Sequence, residues 1–287
     1  MILAVPPALT ADFEERLDEL VRRREAREPL QHIVGFAAFR RLSIQVAPGV
    51  FLPRSETEVV TQPAVEDARR LVADGREPLI VDLCSGSGVI GLSVAFEVPG
   101  SRVVGIDSDP TAVAASRASA ALLGLATSSS LLDLDPSDLD PSDLDPSGGD
   151  PTIRLGPRSG VGWVQMEVGD IRDPGLLADV AGAVDVVISN PPYIPDDAVP
   201  LDPEVADHDP HMALFGGGAD GLDLPRHVVS AAVRLLGPDG LFVMEHADVQ
   251  GAAVRELLAR TGAFHPASTH QDLTGRDRFV TARRRTT

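Results

Sequence analysis

The tetrapeptide Asn190-Pro191-Pro192-Tyr193 follows the apolar run Val186-Val187-Ile188-Ser189, and its residue types suit one task, the holding of a planar NH2 group. An amide or aromatic amine nitrogen is a poor nucleophile because its lone pair is delocalised, so a site that uses it must orient both hydrogens and expose the lone pair. The Asn190 side-chain oxygen and the Pro191 carbonyl can each accept one N–H. Pro191 and Pro192 stiffen the backbone and remove competing donors. Tyr193 supplies a ring to stack on the flat group. These four are the candidate catalytic residues, acting by position and electrostatics rather than as a strong base. By themselves they leave a protein amide and a nucleobase amine as alternative acceptors.

A second group of residues suits a cofactor. Asp82-Leu83-Cys84-Ser85-Gly86-Ser87-Gly88 lies where an apolar run gives way to a helical pattern, and glycines at such a turn let backbone N–H groups approach a ligand closely. Asp82, Cys84, Ser85, Gly86, Ser87 and Gly88 are therefore candidate contacts. Gly86 to Gly91 also fits the dinucleotide pattern G-x-G-x-x-G, so a nicotinamide oxidoreductase is a reading of another class. Asp107, ending the next apolar run, can bind ribose hydroxyls under either reading. Asp82 separates them: a carboxylate beside a pyrophosphate is repelled, whereas the ammonium group of S-adenosylmethionine is attracted. Asp170 is placed to accept from an adenine amino group or to cap a helix, and Ile171 to pack on the ring. Asn190 is counted with both groups.

These residues need a scaffold that gathers strand ends. From Pro78 the chain alternates strand, Gly-rich turn and helix, the rhythm of a parallel sheet covered on both faces. Strands are expected at Leu79–Leu83, Arg102–Ile106, Val164–Val168, Asp185–Ser189 and Leu241–Glu245, with helices at Val89–Phe96 and Pro110–Leu123. The fold class is α/β, a Rossmann-like doubly wound sheet. Ahead of it, Asp12 and Glu15 suggest a capping box for a helix reaching Arg27. Phe36–Val46 then turns at Pro48-Gly49 to pair with Val50-Phe51-Leu52 as a hairpin, and Ser55 with Glu58 caps a further helix ending near Gly75. We expect residues 1–75 to form this small N-terminal unit and 76–287 the main domain.

At 287 residues, with 43% hydrophobic and 24% charged, the chain can bury a sizeable core. A net charge of −18 opposes tight binding to a nucleic-acid backbone. Part of it is local: seven aspartates fall between Asp133 and Asp150, within an Asp-Pro-Ser-Asp-Leu repeat. Such composition reads as a disordered, solvated insertion at about 127–160. No apolar run is long enough to cross a bilayer and the start has no leader pattern, so a cytoplasmic address without membrane association is expected. Cys84 is the lone cysteine, and His208 and His211 lack a third ligand, so no metal is expected.

Taken together, Asp82 to Gly88, Gly105-Ile106-Asp107, Gly169-Asp170 and Asn190 to Tyr193 resemble the motifs of class I S-adenosylmethionine-dependent amino-methyltransferases. The flanks narrow the resemblance. Pro29 to Gly35, Pro53 to Glu58, Ala213 to Gly217, Asp220 to Asp223 and Asp272 to Arg278 are similar to the protein-(glutamine-N5) methyltransferases that modify peptide chain release factors. The likeness runs from about Glu28 to Ala282, apart from the acidic insertion. It implies S-adenosylmethionine as methyl donor and a glutamine amide, in a release factor, as the group gripped by Asn190 to Tyr193. A nucleic-acid amino-methyltransferase is the alternative within the same chemistry. The resemblance also implies that Arg54 and Glu56 to Glu58 lie near the site, where the residues alone allow a surface ion pair and a helix cap. The chain departs from the family pattern in a shorter helical segment before Glu28, in Ser55 for a proline, and in Cys84 for a glycine.

Overall fold

The structure is a computed structural model that describes residues 11–46, 48–125, 127, 162–200 and 202–286. The acidic repeat, beyond Thr127, lies outside them.

Strands β3 (Leu79–Leu83), β4 (Arg102–Asp107), β5 (Trp163–Val168), β6 (Val184–Ser189) and β7 (Leu236–Glu245) run parallel. An antiparallel pair, β8 (Ser268–Gln271) and β9 (Asp277–Arg283), extends the sheet past β7. The order across the seven strands is β5-β4-β3-β6-β7-β9-β8. The central strands are buried on both sides, and this is why they read as unbroken apolar runs rather than alternating ones.

One face is covered by α3 (Ser55–Ala73), α4 (Val89–Glu97) and α5 (Pro110–Leu122), whose Val60, Leu92 and Val113 share a core with Ile80 and Ile188. The other is covered by α8 (Asp223–Leu235) and α9 (Gly251–Thr261), whose Val228, Ala232 and Leu258 pack with Val81 and Phe242. Each buried aliphatic side chain of this kind contributes about 1.5–3 kcal/mol. The start of α5 follows its local signals: Asp109 accepts from Thr111 N at 2.8 Å and Pro110 fills the first turn.

N-terminal to the sheet lie α1 (Ala11–Glu25), α2 (Leu30–Val34) and a hairpin of β1 (Phe36–Phe39) and β2 (Leu42–Gln45). Ala37, Phe39, Leu42 and Ile44 belong to the same core as α3 and α4, so packing runs without a break across residue 75. The α1 stripe Phe13, Leu17, Leu20 and Val21 stays exposed.

Three local expectations are corrected. The hairpin pairs Phe39 with Leu42, and Val50-Phe51-Leu52 forms no strand. Its turn sits at Arg40, with φ 50°, because that guanidinium reaches inward to Glu97 (2.7 Å), the Glu58 carbonyl and Gln62. Ser55 is already helical; Arg54 occupies the N-cap position without a side-chain cap bond, and Ser55 Oγ bonds to Glu56 instead. Asp12 lies within the first turn of α1 rather than before it. Helices α6 (Pro203–His208) and α7 (His211–Leu214), with α8, α9, β8 and β9, complete the chain beyond what periodicity had outlined.

Candidate active site

The chain steps outward from β3 to β4 and β5, then returns to β6 beside β3 and proceeds to β7. The loops leaving β3 and β6 therefore diverge at the switch point, where open α/β sheets bind ligands at carboxyl strand ends. Ser189 Oγ donates to the Leu83 carbonyl at 2.7 Å and ties the two strand ends together. This contact brings the glycine loop and Asn190 to one place.

A cleft of about 250 Å³ opens there. Of the expected cofactor residues, Cys84, Gly86, Asp107, Asp170, Ile171 and Asn190 line it. Asp82, Ser85, Ser87 and Gly88 shape the loop from beneath. Asp82 is fully buried, and its Oδ2 accepts the Gly91 N–H at 2.9 Å while Oδ1 has no partner among the described residues. Burial, opposed by that bond and reinforced by Asp107, raises its pKa to about 7. A Cβ on Gly88 would come closer than 3.0 Å to Ser116 Cβ, so this glycine lets α4 and α5 approach.

Asp107 Oδ2 accepts the Gly86 N–H at 2.7 Å and its Oδ1 accepts from Asp109 N at 2.9 Å. Burial raises its pKa against the pull of these bonds. Two backbone donors of the loop, Gly86 N and Gly91 N, are thus already engaged by Asp107 and Asp82. A dinucleotide would have to displace two carboxyl groups. A neutral ribose and a cationic sulfonium suit the same wall. Asp170, at the rim, is held in an ion pair by Arg172, which lowers its pKa, and it also accepts from Arg172 N.

A second cavity of about 170 Å³ lies on the other side of the tetrapeptide. Phe51, Arg54 and Glu56 line it opposite Pro191 and Tyr193, and Asn190 and Pro192 line both cavities. Asn190 and Pro192, with Phe51 and Ala213, thus stand where the two chambers meet, the placement that a group passing between two bound molecules requires. Arg54 is no surface ion pair with Glu58. Its guanidinium lies over the Phe51 ring at 4.9 Å and pairs with the buried Asp209 carboxylate of the α6–α7 connection.

Behind the partition, Asn190 Nδ2 donates to Thr57 Oγ1 at 3.2 Å, Thr57 Oγ1 to Glu245 Oε2 at 2.8 Å, and the Tyr193 hydroxyl to Glu245 Oε1 at 3.3 Å. Burial raises the Glu245 pKa to about 7, and burial followed by Glu245 raises that of Tyr193. The resemblance had pointed at Thr57 only as part of a segment. Glu245 was missed, although a carboxylate closing the apolar run Leu241–Met244 is a signal in itself. The Tyr193 carbonyl is held by Gln250 Nε2 at 2.9 Å. His208 faces His32 edge-on and His211 stacks on Phe215 at 4.1 Å.

Comparison with known proteins decides the family. Residues 2–35 match the model of the PrmC N-terminal domain. The release factor glutamine methyltransferase of Bifidobacterium longum is 40% identical over 95% of this chain and 80% of its own length. That of Streptomyces coelicolor is 42% identical over 96% and 82%. The chain belongs to the release factor glutamine methyltransferases. In fold it is similar to a 16S rRNA methyltransferase of Thermus thermophilus solved with AdoMet and guanosine, with TM-score 0.52, 18% identity, and coverage of 87% of this chain and 50% of that one.

Within the release factor glutamine methyltransferases, the Cys84 departure acquires a physical meaning. Cys84 has φ 59°, the left-handed region where the glycine usual at this position is at ease. The thiol is tolerated because its side chain packs against the core that contains Val81 and Leu83. Burial, with Asp107 and Asp82 nearby, pushes its pKa up, so it is no nucleophile.

The Ala213 to Gly217 segment supports the partition. Ile194 N bonds to the Leu214 carbonyl and Gly216 N to that of Ile194. A Cβ on Gly216 would lie closer than 3.0 Å to the Gly221 and Pro192 carbonyl oxygens and to Tyr193 Cα. Gly216→Ala is therefore expected to push the tetrapeptide out of place and lower turnover by about 100-fold or more, because rigid backbone cannot yield. Methyl-transfer assays beside cofactor titration check this: activity should collapse while cofactor affinity changes far less.

Proposed function

We propose that this protein transfers the methyl group of S-adenosylmethionine to the side-chain amide nitrogen of a glutamine in a peptide chain release factor. The observation that carries the reading is that Asn190 and Pro192 of the tetrapeptide line two adjoining cavities, in a chain whose relatives bear that activity in their names. When bound, the cofactor supplies an electrophilic methyl on a sulfonium, with a neutral thioether as leaving group.

The chain's residues supply the rest. Asp107, which keeps the glycine loop closed by accepting from Gly86 N, would accept from ribose hydroxyls, and Ile171 and Asp170 would hold the adenine. Asn190 Oδ1 and the Pro191 carbonyl accept the two amide hydrogens and stabilise the positive charge that builds on the nitrogen. Tyr193 lies along the flat amide and Phe51 closes the chamber. No strong base is needed, because a proton on a methylated amidium is acidic enough to leave to water. A nucleobase amine fits the clamp chemically, but a net charge of −18 opposes contact with a nucleic-acid backbone. Among the described residues no helix is long and apolar enough to cross a membrane, and we infer that the reaction takes place in the cytoplasm.

Incubation of release factors with the enzyme and isotope-labelled cofactor, followed by peptide mass spectrometry, is expected to place one label on one glutamine. Label on RNA or DNA and none on protein would overturn the assignment.

A further inference from the structure

We propose that Thr57 and Glu245 form a directional hydrogen-bond relay that sets which end of the Asn190 amide faces the acceptor chamber, and so act as positioning residues for transfer. The inference rests on the reading of Asn190 as the clamp.

The direction follows from proton counting. Thr57 has one hydroxyl hydrogen, and its Oγ1 lies 2.8 Å from Glu245 Oε2 and 3.2 Å from Asn190 Nδ2. While Glu245 is ionised it cannot donate, so Thr57 gives its hydrogen to Glu245 and can only accept from Asn190. The Asn190 atom facing Thr57 must then be the NH2, which leaves Oδ1 for the acceptor. Without that constraint the Asn190 amide is free to turn over and present NH2 to an incoming NH2, donor against donor.

Glu245 also accepts from Tyr193, so one carboxyl group holds both ends of the tetrapeptide. Thr57 and Glu245 are 2% and 1% exposed, and neither lines either cavity. They therefore act through Asn190 and Tyr193 and not on the substrate. The charged and titratable groups around Glu245 are Glu56 of α3, Arg278 of β9, itself paired with Asp272, and Tyr193. With its pKa near 7, a protonated Glu245 can donate to Thr57 and loosen the relay.

The test compares Thr57→Val, which keeps the shape, with Thr57→Ser, which keeps the hydroxyl, using release factor and labelled cofactor. Thr57→Val is expected to lose about 50-fold or more in kcat/KM with cofactor Kd unchanged, and Thr57→Ser to stay within about threefold of the parent. Equal activity of the two variants, or a parallel loss of cofactor binding in Thr57→Val, would overturn the relay. Should Thr57→Val fail to fold, Glu245→Gln serves. Its kcat should be flat between about pH 6 and 8.5, where that of the parent rises severalfold, and superimposable profiles would refute the proposal. A parent enzyme inactive on release factors would instead count against the proposed function. In that case the hydrogen-bonded state of the Asn190 NH2, read by NMR with Thr57→Val as reference, still tests the relay.

Discussion

Asn190→Ala is expected to lower kcat by about two to three orders of magnitude while cofactor Kd stays within a few-fold. Asn190 lines both chambers, but its part in each differs. On the cofactor side it is one wall among many; Gly86, Asp107 and Ile171 line that cleft without it. On the acceptor side, in the proposed clamp, its Oδ1 is one of two oxygens that orient the nucleophile. Removal of one preorganised polar group facing developing charge costs about 10²–10³ in rate, and loss of orientation adds to this. Asn190→Asp is a second probe. It keeps an acceptor oxygen but presents another oxygen to Thr57 in place of the NH2, so it too should be slow. The measurement is single-turnover transfer at saturating cofactor, with calorimetric titration of cofactor alongside. An Asn190→Ala enzyme of near-normal rate would remove the clamp from the mechanism.

Asp107→Ala is expected to act on the opposite chamber, weakening cofactor binding by about 100-fold or more. Two effects combine. In the proposed function the carboxylate that lines the cleft is the acceptor for ribose hydroxyls, and bonds to a charged group contribute about 1.5–3 kcal/mol each. The same carboxylate closes the loop by accepting from Gly86 N at 2.7 Å and from Asp109 N at 2.9 Å, so the variant leaves those donors without their partner. Asp107→Asn keeps one acceptor oxygen and loses the charge, and an intermediate affinity is expected. Titration calorimetry reads both. If Asp107→Ala bound cofactor as the parent does, the ribose would have to lie elsewhere. A gain of NAD binding in either variant would revive the dinucleotide reading, which the engagement of the loop donors by Asp82 and Asp107 otherwise opposes.

Much of this protein was written in local sequence. Buried parallel strands are continuous apolar runs, so Leu79–Leu83, Arg102–Asp107 and Val184–Ser189 were found to within a residue. Asp109-Pro110 marks a helix start by its own chemistry. The tetrapeptide and the glycine loop stand out in the sequence because the chemistry proposed for them depends on residue type at consecutive positions.

What only the tertiary structure decided involves residues distant along the chain. The hairpin turn sits at Arg40 because Glu97 and Gln62 draw its side chain inward, and no local rule contains those partners. Arg54 looks outward to Glu58 in sequence, yet it faces Asp209 in space. Asp82 was expected to meet the cofactor directly and instead lies beneath the loop, bonded to Gly91. The link from Asn190 through Thr57 to Glu245 joins three elements of one sheet edge, with spacings of 133 and 188 residues. Residue type by itself determined what chemistry the chain can do at each position. Strand order, which places the ends of β3 and β6 side by side, together with the packing of α3 on β6 and β7, determined which of those groups meet, since hydrogen bonds act over ångströms and take no account of separation along the chain.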